Sequence, residues 1–428
     1  MISSLFFLLP KITRVDLSGF ALTSFLLLSV SSLTGEDSEN GITLAESTAK
    51  AIQSHPSLKP YDAERRGSDA RIISALTAPN PELEVEVEDV LGDGVYERFG
   101  SAVYNVGISQ LLELGGKRLL RGEVAERERE VERLRYEVAK REVIRETAVR
   151  FVAVQGAQMA EANAVRNLEI SRENLTVVTK LSEGGRGSKV DVGQSEIGAK
   201  EAKIQLDTAQ RMTAMARQRL ASMWGDVKPR FDSVAGSLSR PPATVPELDS
   251  LEEGLAYHPL VAMAEAAVRV ASQRLTLEEK KKTPDMNVGV GYRRDSSIDD
   301  NAVVLGFSLP LPLRNRNEGG IAEAQAGIAL EEAKGEQVRS ELRMTLGEEW
   351  ARLVGAHSTY QLISNDMIPA AREQYKAVNE SFLLSRMSYL ELLEARRSLT
   401  SAQKQGIDAL REYYEARIAI EVLTGREF

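Results

Sequence analysis

The sequence contains no cysteine and only three histidines among its 428 residues. The absence of cysteine excludes disulfides, thiolate metal ligands and cysteine nucleophiles. His55 and His258 each stand directly before a proline, and a role at a helix boundary is the simpler explanation for that placement. We therefore predict no metal site and no cofactor.

Negative charge exceeds positive charge, because the chain has 63 aspartates and glutamates and 54 lysines and arginines. The net charge of −9 and the lack of a basic stripe argue against nucleic acid as a partner. Gly115-Gly116-Lys117 lacks the upstream glycine spacing of a phosphate-binding loop. No catalytic constellation stands out elsewhere, so the sequence does not predict an enzyme.

Long apolar runs are missing beyond the N-terminus. There, Lys11 and Arg14 precede an apolar stretch at 17–30, and small residues follow at 31–35. This order predicts an export signal peptide over residues 1–34. An uncleaved membrane anchor is the alternative, but the run is shorter than the ~20 residues that a spanning helix needs.

The most informative feature that is present is an internal duplication. The recurring residues keep a nearly constant offset of 199 to 203 positions: His55-Pro56 with His258-Pro259, Gly107 with Gly306, Ser109 with Ser308, Ser188 with Ser388, and Asp191 with Glu391. Copies of this length indicate one architectural unit used twice. We assign the units to residues 44–225 and 248–428, joined by a proline-rich linker at 226–247.

Each unit is predicted to contain short helices, a pair of strands and a long helical hairpin. The strands are expected at 83–89 and 102–110, then at 286–293 and 302–309, and the hairpins at 116–223 and 318–424. A helix over 116–182 would be roughly 100 Å long. Such a rod cannot bury its apolar stripe inside a compact domain and needs parallel rods beside it. Pro369 predicts a kink near Ile368 in the second hairpin.

The predicted strands alternate strictly between apolar and polar or small residues. In the first, Leu83, Val85 and Val87 alternate with Glu84, Glu86 and Glu88. Such a sheet could pack on a soluble core, or it could form part of a transmembrane barrel with its apolar side in lipid and its glutamates in a cation-friendly lumen. Four strands cannot close a barrel, so the second interpretation requires several chains.

The chain resembles the TolC-like outer-membrane efflux proteins, and most closely the cobalt–zinc–cadmium and copper efflux branch. The resemblance is carried by the two His-Pro pairs and by four segments, at 110–118, 310–313, 187–191 and 387–395. It implies a mainly α-helical fold with a small β part. Three chains would form a homotrimer with a twelve-stranded barrel in outer-membrane lipid and a long helical barrel in the periplasm.

The same resemblance implies a passive exit duct for heavy-metal cations or small toxic compounds. It would act with a periplasmic membrane-fusion adaptor and an inner-membrane proton-driven pump of the RND type, and without catalytic activity. Several metal-efflux relatives carry a lipid on an N-terminal cysteine. This sequence has none, so anchoring is expected to depend on the barrel.

The resemblance also implies a set of functional residues at the two hairpin turns. The channel entrance would include Glu391, Glu394, Asp191, Phe382, Arg386 and Arg186, and the adaptor-facing turns Gly187, Ser188, Met387 and Ser388. Glu391 and Glu394 lie one turn apart, so three copies would form a carboxylate ring. The simpler alternatives are solvated acids near a helix N-terminus and serines that cap the helices.

A periplasmic coiled-coil adaptor or structural protein is the main alternative function. An adaptor would have one helical hairpin between β-rich modules. This chain is predicted to have two hairpins, each preceded by a strand pair, which favours the channel.

Overall fold

The computed structural model describes residues 41–384 and 386–428. The predicted signal peptide therefore lies outside the described residues. The described part of the chain is mostly helical with a small β part, as the sequence predicts.

The first half runs from a short strand to a long helical hairpin. Its elements are β1 (Gly41–Ile42), α1 (Leu44–Ser54), α2 (Lys59–Leu76), β2 (Glu82–Glu88), β3 (Val103–Leu112), α3 (Lys117–Glu183) and α4 (Lys189–Ala221). The linker contains β4 (Ser233–Val234), which pairs in parallel with β1. The sequence did not predict this pair.

The second half repeats the order of helices and strands. Its elements are α5 (Leu248–Leu255), α6 (Pro259–Lys280), β5 (Met286–Asp295), β6 (Asp300–Ser308), α7 (Glu318–Leu362), α8 (Ile368–Leu383) and α9 (Tyr389–Thr424). A π-helical turn, Ile363–Met367, joins α7 to α8. The rod is thus widened just before Pro369, whose missing N–H cannot complete an ordinary helical turn.

The two His-Pro pairs mark helix starts. The His55 Nδ1 atom accepts a hydrogen bond from the backbone N–H of Ser57 at 3.2 Å, and the His258 Nδ1 atom accepts one from Leu260 at 3.2 Å. Burial, together with the nearby charge of Arg141, lowers the pKa of His258 to about 4. His258 is therefore neutral near pH 7 and can act as an acceptor. The predicted helix-boundary role is confirmed for both histidines.

Strands from both halves form one antiparallel sheet in the order β2-β3-β5-β6. The halves meet at β3 and β5, where Val106 lies opposite Tyr292 and Gly107 lies opposite Gly291. Within the described residues, β2 pairs only with β3 and β6 only with β5. Both outer edges of the sheet are therefore open in the single chain.

The largest core lies among the helices, midway along the rods. Its most deeply buried members come from α7 and α9: Leu346, Leu353, Tyr413, Ala416 and Ile420. Apolar residues of α3 and α5 pack against the same cluster. This core joins the two hairpins into one bundle.

The linker is bonded to the outside of that bundle. Pro246 accepts a hydrogen bond from Trp350 Nε1 at 2.9 Å, and the carbonyl of Pro242 lies 2.8 Å from His357 Nε2. Arg240 donates to Oδ1 of Asn365, a residue of the π turn, at 2.7 Å. The linker is thus bonded to α7 at Trp350 and His357 and to the π turn at Asn365.

Gly254 permits close packing between α5 and the end of α9. A Cβ atom at this position would lie 2.6 Å from the carbonyl oxygen of Thr424. We expect Gly254→Ala to lower the free energy of unfolding by about 1–3 kcal/mol, because backbone must move to admit the methyl group. Thermal unfolding of the detergent-solubilised protein, followed by circular dichroism at 222 nm, measures the change.

Gly355→Ala is the matched control for that substitution. Gly355 lies inside α7, and a Cβ atom there would have no neighbour within 4 Å. We expect a neutral or stabilising change of up to ~1 kcal/mol, from helix propensity. Equal effects of the two substitutions would contradict the packing role of Gly254.

Candidate functional site

The sheet presents one apolar and one polar face, and both are uncovered. Three rungs form the centre of the apolar face: Leu83, Ile108, Val290 and Leu305; Val85, Val106, Tyr292 and Val303; and Val87 with Tyr104. Apart from the strands' own neighbours, no layer of the described chain covers these side chains, and all ten are exposed. A soluble sheet would bury such a face, so this face requires an apolar surrounding.

The opposite face carries a column of carboxylates next to a floor of small residues. Glu82, Glu84, Glu86 and Glu88 all lie on β2 and are exposed. Gly107 on β3 lies opposite Glu84, and Gly291 on β5 lies opposite Gly107. A Cβ atom on Gly291 would lie 3.2 Å from the carbonyl oxygen of Val106. The glycines therefore leave this part of the polar face without side chains, next to the glutamate column on β2.

The turn of the first hairpin is built from glycines and a capping serine. Gly185 has a φ of +70°, a conformation that glycine adopts without strain. Ser188 precedes α4, and its Oγ atom accepts a hydrogen bond from Val190 at 3.1 Å. Asp191 completes a capping box by accepting from the Ser188 N–H at 3.2 Å.

The second turn has the same cap with a glutamate. Glu391 Oε2 accepts from the Ser388 backbone N–H at 2.7 Å and from its hydroxyl at 2.9 Å. These bonds to the charged form lower the pKa of Glu391 below its ordinary value. The predicted capping role of Ser188 and Ser388 is thus confirmed. Glu394, one turn further, is exposed on the same side of α9.

Aromatic side chains form a small core at the tip. Phe382 is 8% exposed and packs edge-on against Tyr389, with the ring centroids 6.0 Å apart. Val178, Leu392 and Leu393 complete this cluster. Phe382 therefore lies inside the tip in the single chain. Sequence reasoning missed Tyr389, whose only signal was its place directly after the capping serine.

Two arginines of α9 connect the hairpins just above the tip. Arg396 donates to Ser171 Oγ on α3 at 2.8 Å, and Arg397 lies 3.5 Å from the Glu201 carboxylate on α4. Gly198 of α4 lies beside this contact, since a Cβ atom there would be 3.4 Å from the Arg396 guanidinium. Sequence reasoning missed these residues. The adjacent arginines two turns into α9 were the only available signal.

The remaining predicted site residues lie in the turns themselves. The backbone N–H groups of Arg186 and Arg386 donate to Leu181 and Ser381, at 2.8 and 2.9 Å. Met387 is exposed, and Gly187 closes tightly on Ser182. In the described part of the chain, Arg386 forms no ion pair, and no group of three metal-ligating side chains occurs.

Among the residues described, none of the helices combines the length and apolar character that crossing a bilayer requires.

Comparison with known proteins places the chain in a family. The family model of the outer membrane efflux proteins matches residues 48–226 and 251–426. The cobalt-zinc-cadmium resistance protein CzcC of Cupriavidus metallidurans is 27% identical over 388 residues, covering 90% of each chain. The nickel and cobalt resistance protein CnrC of the same organism is 27% identical over 289 residues, 67% of each chain.

Solved structures share the fold at lower identity. The CusC crystal structure has a TM-score of 0.71 at 14% identity, covering 89% of this chain and 91% of that one. The outer membrane protein VceC of Vibrio cholerae has a TM-score of 0.70 at 15% identity, with 90% and 96% covered. The open-state MtrE channel of Neisseria gonorrhoeae has a TM-score of 0.69 at 18% identity, with 89% and 88% covered.

The fold is thus that of the TolC-like outer-membrane channels. The chain belongs to the outer membrane efflux protein family. It is an outer-membrane channel component of an efflux system and extends into the periplasm. The predicted family, fold class and location are confirmed.

The cap at Ser388 generates a local prediction. Ser388→Ala should speed amide exchange in the first turn of α9 by about fivefold, because loss of a serine cap costs about 1 kcal/mol. Hydrogen exchange with mass spectrometry, corrected for intrinsic rates, measures this.

Glu391 has a lowered pKa in the folded protein. Its contribution to the stability of the cap is therefore full above its ordinary pKa of 4.5 and is lost as the pH falls through the lower folded value.

Ser188→Ala is the control, since it removes the equivalent cap from α4 alone. It should speed exchange at 189–192 and leave the start of α9 unchanged. Unaltered exchange in α9 of the Ser388→Ala protein would contradict the capping role.

Proposed function

We propose that three copies of the chain close one continuous duct, which carries divalent heavy-metal cations out of the cell. The open sheet with two uncovered faces supports this most directly. In hydrocarbon, unpaired strand edges leave backbone groups without hydrogen bonds, so only a closed barrel is stable. Three four-stranded sheets joined edge to edge give twelve strands, within the range known for such barrels.

An exposed seam on α4 supports the same assembly. Val190, Ile197 and Ile204 recur every seven residues and are 66%, 58% and 63% exposed. A seven-residue apolar repeat is the pattern of a helix that packs against a parallel neighbour. Within one chain, α4 packs on α3 by its other side. We assign the seam to the second hairpin of the next copy in the ring.

The carboxylates define the proposed cargo. Three β2 columns would line the lumen with Glu84, Glu86 and Glu88 of every copy, and repeated carboxylates raise the local concentration of cations. Relatives of the chain are named for resistance to cobalt, zinc, cadmium and nickel. The duct itself is proposed to be passive and without catalytic activity.

The hairpin tips form the proposed entrance. Glu391, Glu394 and Asp191 would ring the opening, while the tip core around Phe382 fixes its shape. The contacts of Arg396 and Arg397, together with the turn arginines Arg186 and Arg386, would hold the hairpins closed. The turns at Gly187, Ser188, Met387 and Ser388 would bind a periplasmic membrane-fusion adaptor, which links the duct to a proton-driven pump of the RND type.

Two neighbouring residues of β6 test the barrel. Leu305 lies on the apolar face and is 79% exposed, whereas Val304 lies on the polar face opposite Gly291 and is 43% exposed. Leu305→Arg should cost ~2–4 kcal/mol in lipid and prevent stable insertion. Val304→Arg should insert, because its charge would face water.

Insertion is measured by flotation with phospholipid vesicles and by the trimer band on unheated gels. A wild-type chain that stays monomeric and unbound would contradict the duct and favour the periplasmic adaptor. Equal behaviour of the two arginine variants would contradict the assignment of the faces.

Ion selectivity distinguishes the proposed role of the lumen carboxylates from that of the entrance carboxylates. Replacing Glu84, Glu86 and Glu88 by glutamine should lower the cation-to-anion permeability ratio by about twofold or more. Replacing Glu391 and Glu394 by glutamine should, in a second variant, lower the same permeability ratio or raise the single-channel conductance. Reversal potentials in a potassium chloride gradient across planar bilayers measure both. Selectivity unchanged in both variants would exclude the carboxylates from ion selection.

A further inference from the structure

The end of the sheet from which the long helices depart combines exposed leucines with unpaired cations. Three segments meet there, at 113–121, 278–285 and 309–318, and we call them the junction collar. Lys117 Nζ bonds to the Thr283 carbonyl at 2.8 Å and pairs with Asp285 at 2.7 Å. Asn317 Nδ2 donates to the Glu278 carbonyl at 2.9 Å. The three segments are therefore held together as one surface.

The collar is positively charged in a chain that is negative overall. It contains eight basic and five acidic residues, a net charge of +3. Three of the bases are paired with three of the acids: Lys117 with Asp285, Arg121 with Glu113, and Lys281 with Glu278. Five bases remain exposed and form no ion pair in the described part of the chain: Arg118, Lys280, Lys282, Arg314 and Arg316.

The opposite end of the sheet has the reverse charge. Residues 88–98 and 293–300 together contain seven acidic and three basic residues, a net charge of −4. The two ends of one short sheet thus differ by seven charges. A surface merely kept soluble would need no such separation.

Leucines of the collar continue the apolar face beyond the strands. Leu309, Leu311 and Leu313 keep the two-residue spacing of Val303, Leu305 and Phe307 on β6, and the last two are 69% and 78% exposed. β6 ends at Ser308, and the Leu313 N–H bonds to the Leu311 carbonyl at 2.8 Å in a tight turn, so the leucines leave the sheet at this edge. They therefore extend the apolar face to the border at which the five exposed basic residues lie.

We propose that the junction collar binds anionic phospholipid headgroups of the periplasmic leaflet of the outer membrane. This inference rests on the proposed barrel, because it takes the helix-bearing end of the sheet as the periplasmic end. Lysines and arginines at the border of an apolar band attract anionic headgroups, while the leucines enter the acyl layer. The acidic opposite end repels the same headgroups, so the collar also fixes the direction in which the barrel stands in the membrane.

Lipid association of the full-length protein tests the proposal. Spin-labelled phosphatidylglycerol or phosphatidylcholine is added in trace amounts to phosphatidylcholine vesicles containing the protein, and electron paramagnetic resonance gives the immobilised fraction of each label. For the wild type we expect an association constant for phosphatidylglycerol about twofold or more above that for phosphatidylcholine. The preference should weaken from about 0.1 M to about 1 M salt, because the headgroup charges are screened.

Variants at the two ends of the sheet provide the comparison. Replacing Arg118, Lys280, Lys282, Arg314 and Arg316 by glutamine should bring the ratio of the two constants to about one. The control replaces Arg98, Arg293 and Arg294 by glutamine at the acidic end and should keep the wild-type ratio. Conductance in phosphatidylcholine bilayers verifies that both variants form channels, since neither replaces an apolar side chain.

The outcomes separate this inference from the function on which it rests. If the wild type fails to insert in either lipid, the proposed duct is wrong and the collar proposal falls with it. If all channels conduct but the wild type shows no lipid preference, only the collar proposal is wrong. A preference lost equally in the control would show a general charge effect and would also overturn it.

Discussion

The architecture depends on four strands whose hydrogen bonds the single chain cannot complete. In the part of the chain that the structure describes, no layer covers the apolar face of the sheet, and neither outer strand has a partner on its free edge. In water such a sheet would expose an apolar face and two adhesive edges. In lipid the apolar face contacts hydrocarbon, which is favourable, but the unpaired backbone groups at the edges cost more free energy than in water. Only closure with further copies removes both problems, and therefore fold, assembly and location follow from one constraint.

The helical rods extend the same dependence into the periplasm. A rod of 67 residues such as α3 is roughly 100 Å long and cannot be buried by a single partner. The chain stabilises its middle third with the α3, α7 and α9 core and with the bonded linker. Towards the tips, each rod retains an uncovered side, as the α4 seam shows. The two hairpins are thus joined at mid-height and again at the tip, and the α4 seam between these levels stays exposed.

Much of this organisation can be predicted from the sequence, because it depends on periodicity. Alternation at 83–89 and the seven-residue spacing of Val124, Val131 and Val138 indicate the strands and rods locally. The capping serines are recognisable from one turn of sequence. The linker bonds to Trp350 and Asn365, the Arg396–Ser171 contact and the β1–β4 pair were not predicted. Each joins residues more than a hundred positions apart, and no local pattern encodes such contacts.

The two halves differ most at the π turn, and the difference follows from one residue. In the first half, α3 runs unbroken to its tip. In the second, Pro369 removes a backbone donor, and the rod adopts a five-residue turn in which the Ile368 N–H bonds to the Ile363 carbonyl. Gly406 on α9 lies against this turn, where a Cβ atom would be 3.4 Å from side-chain carbons of both isoleucines. The linker holds α7 above this turn, while α8 below it is packed mainly on α9. The two copies of the unit therefore differ in structure: the first hairpin has an unbroken α-helix to its tip, and the second has a π turn between its core and its tip.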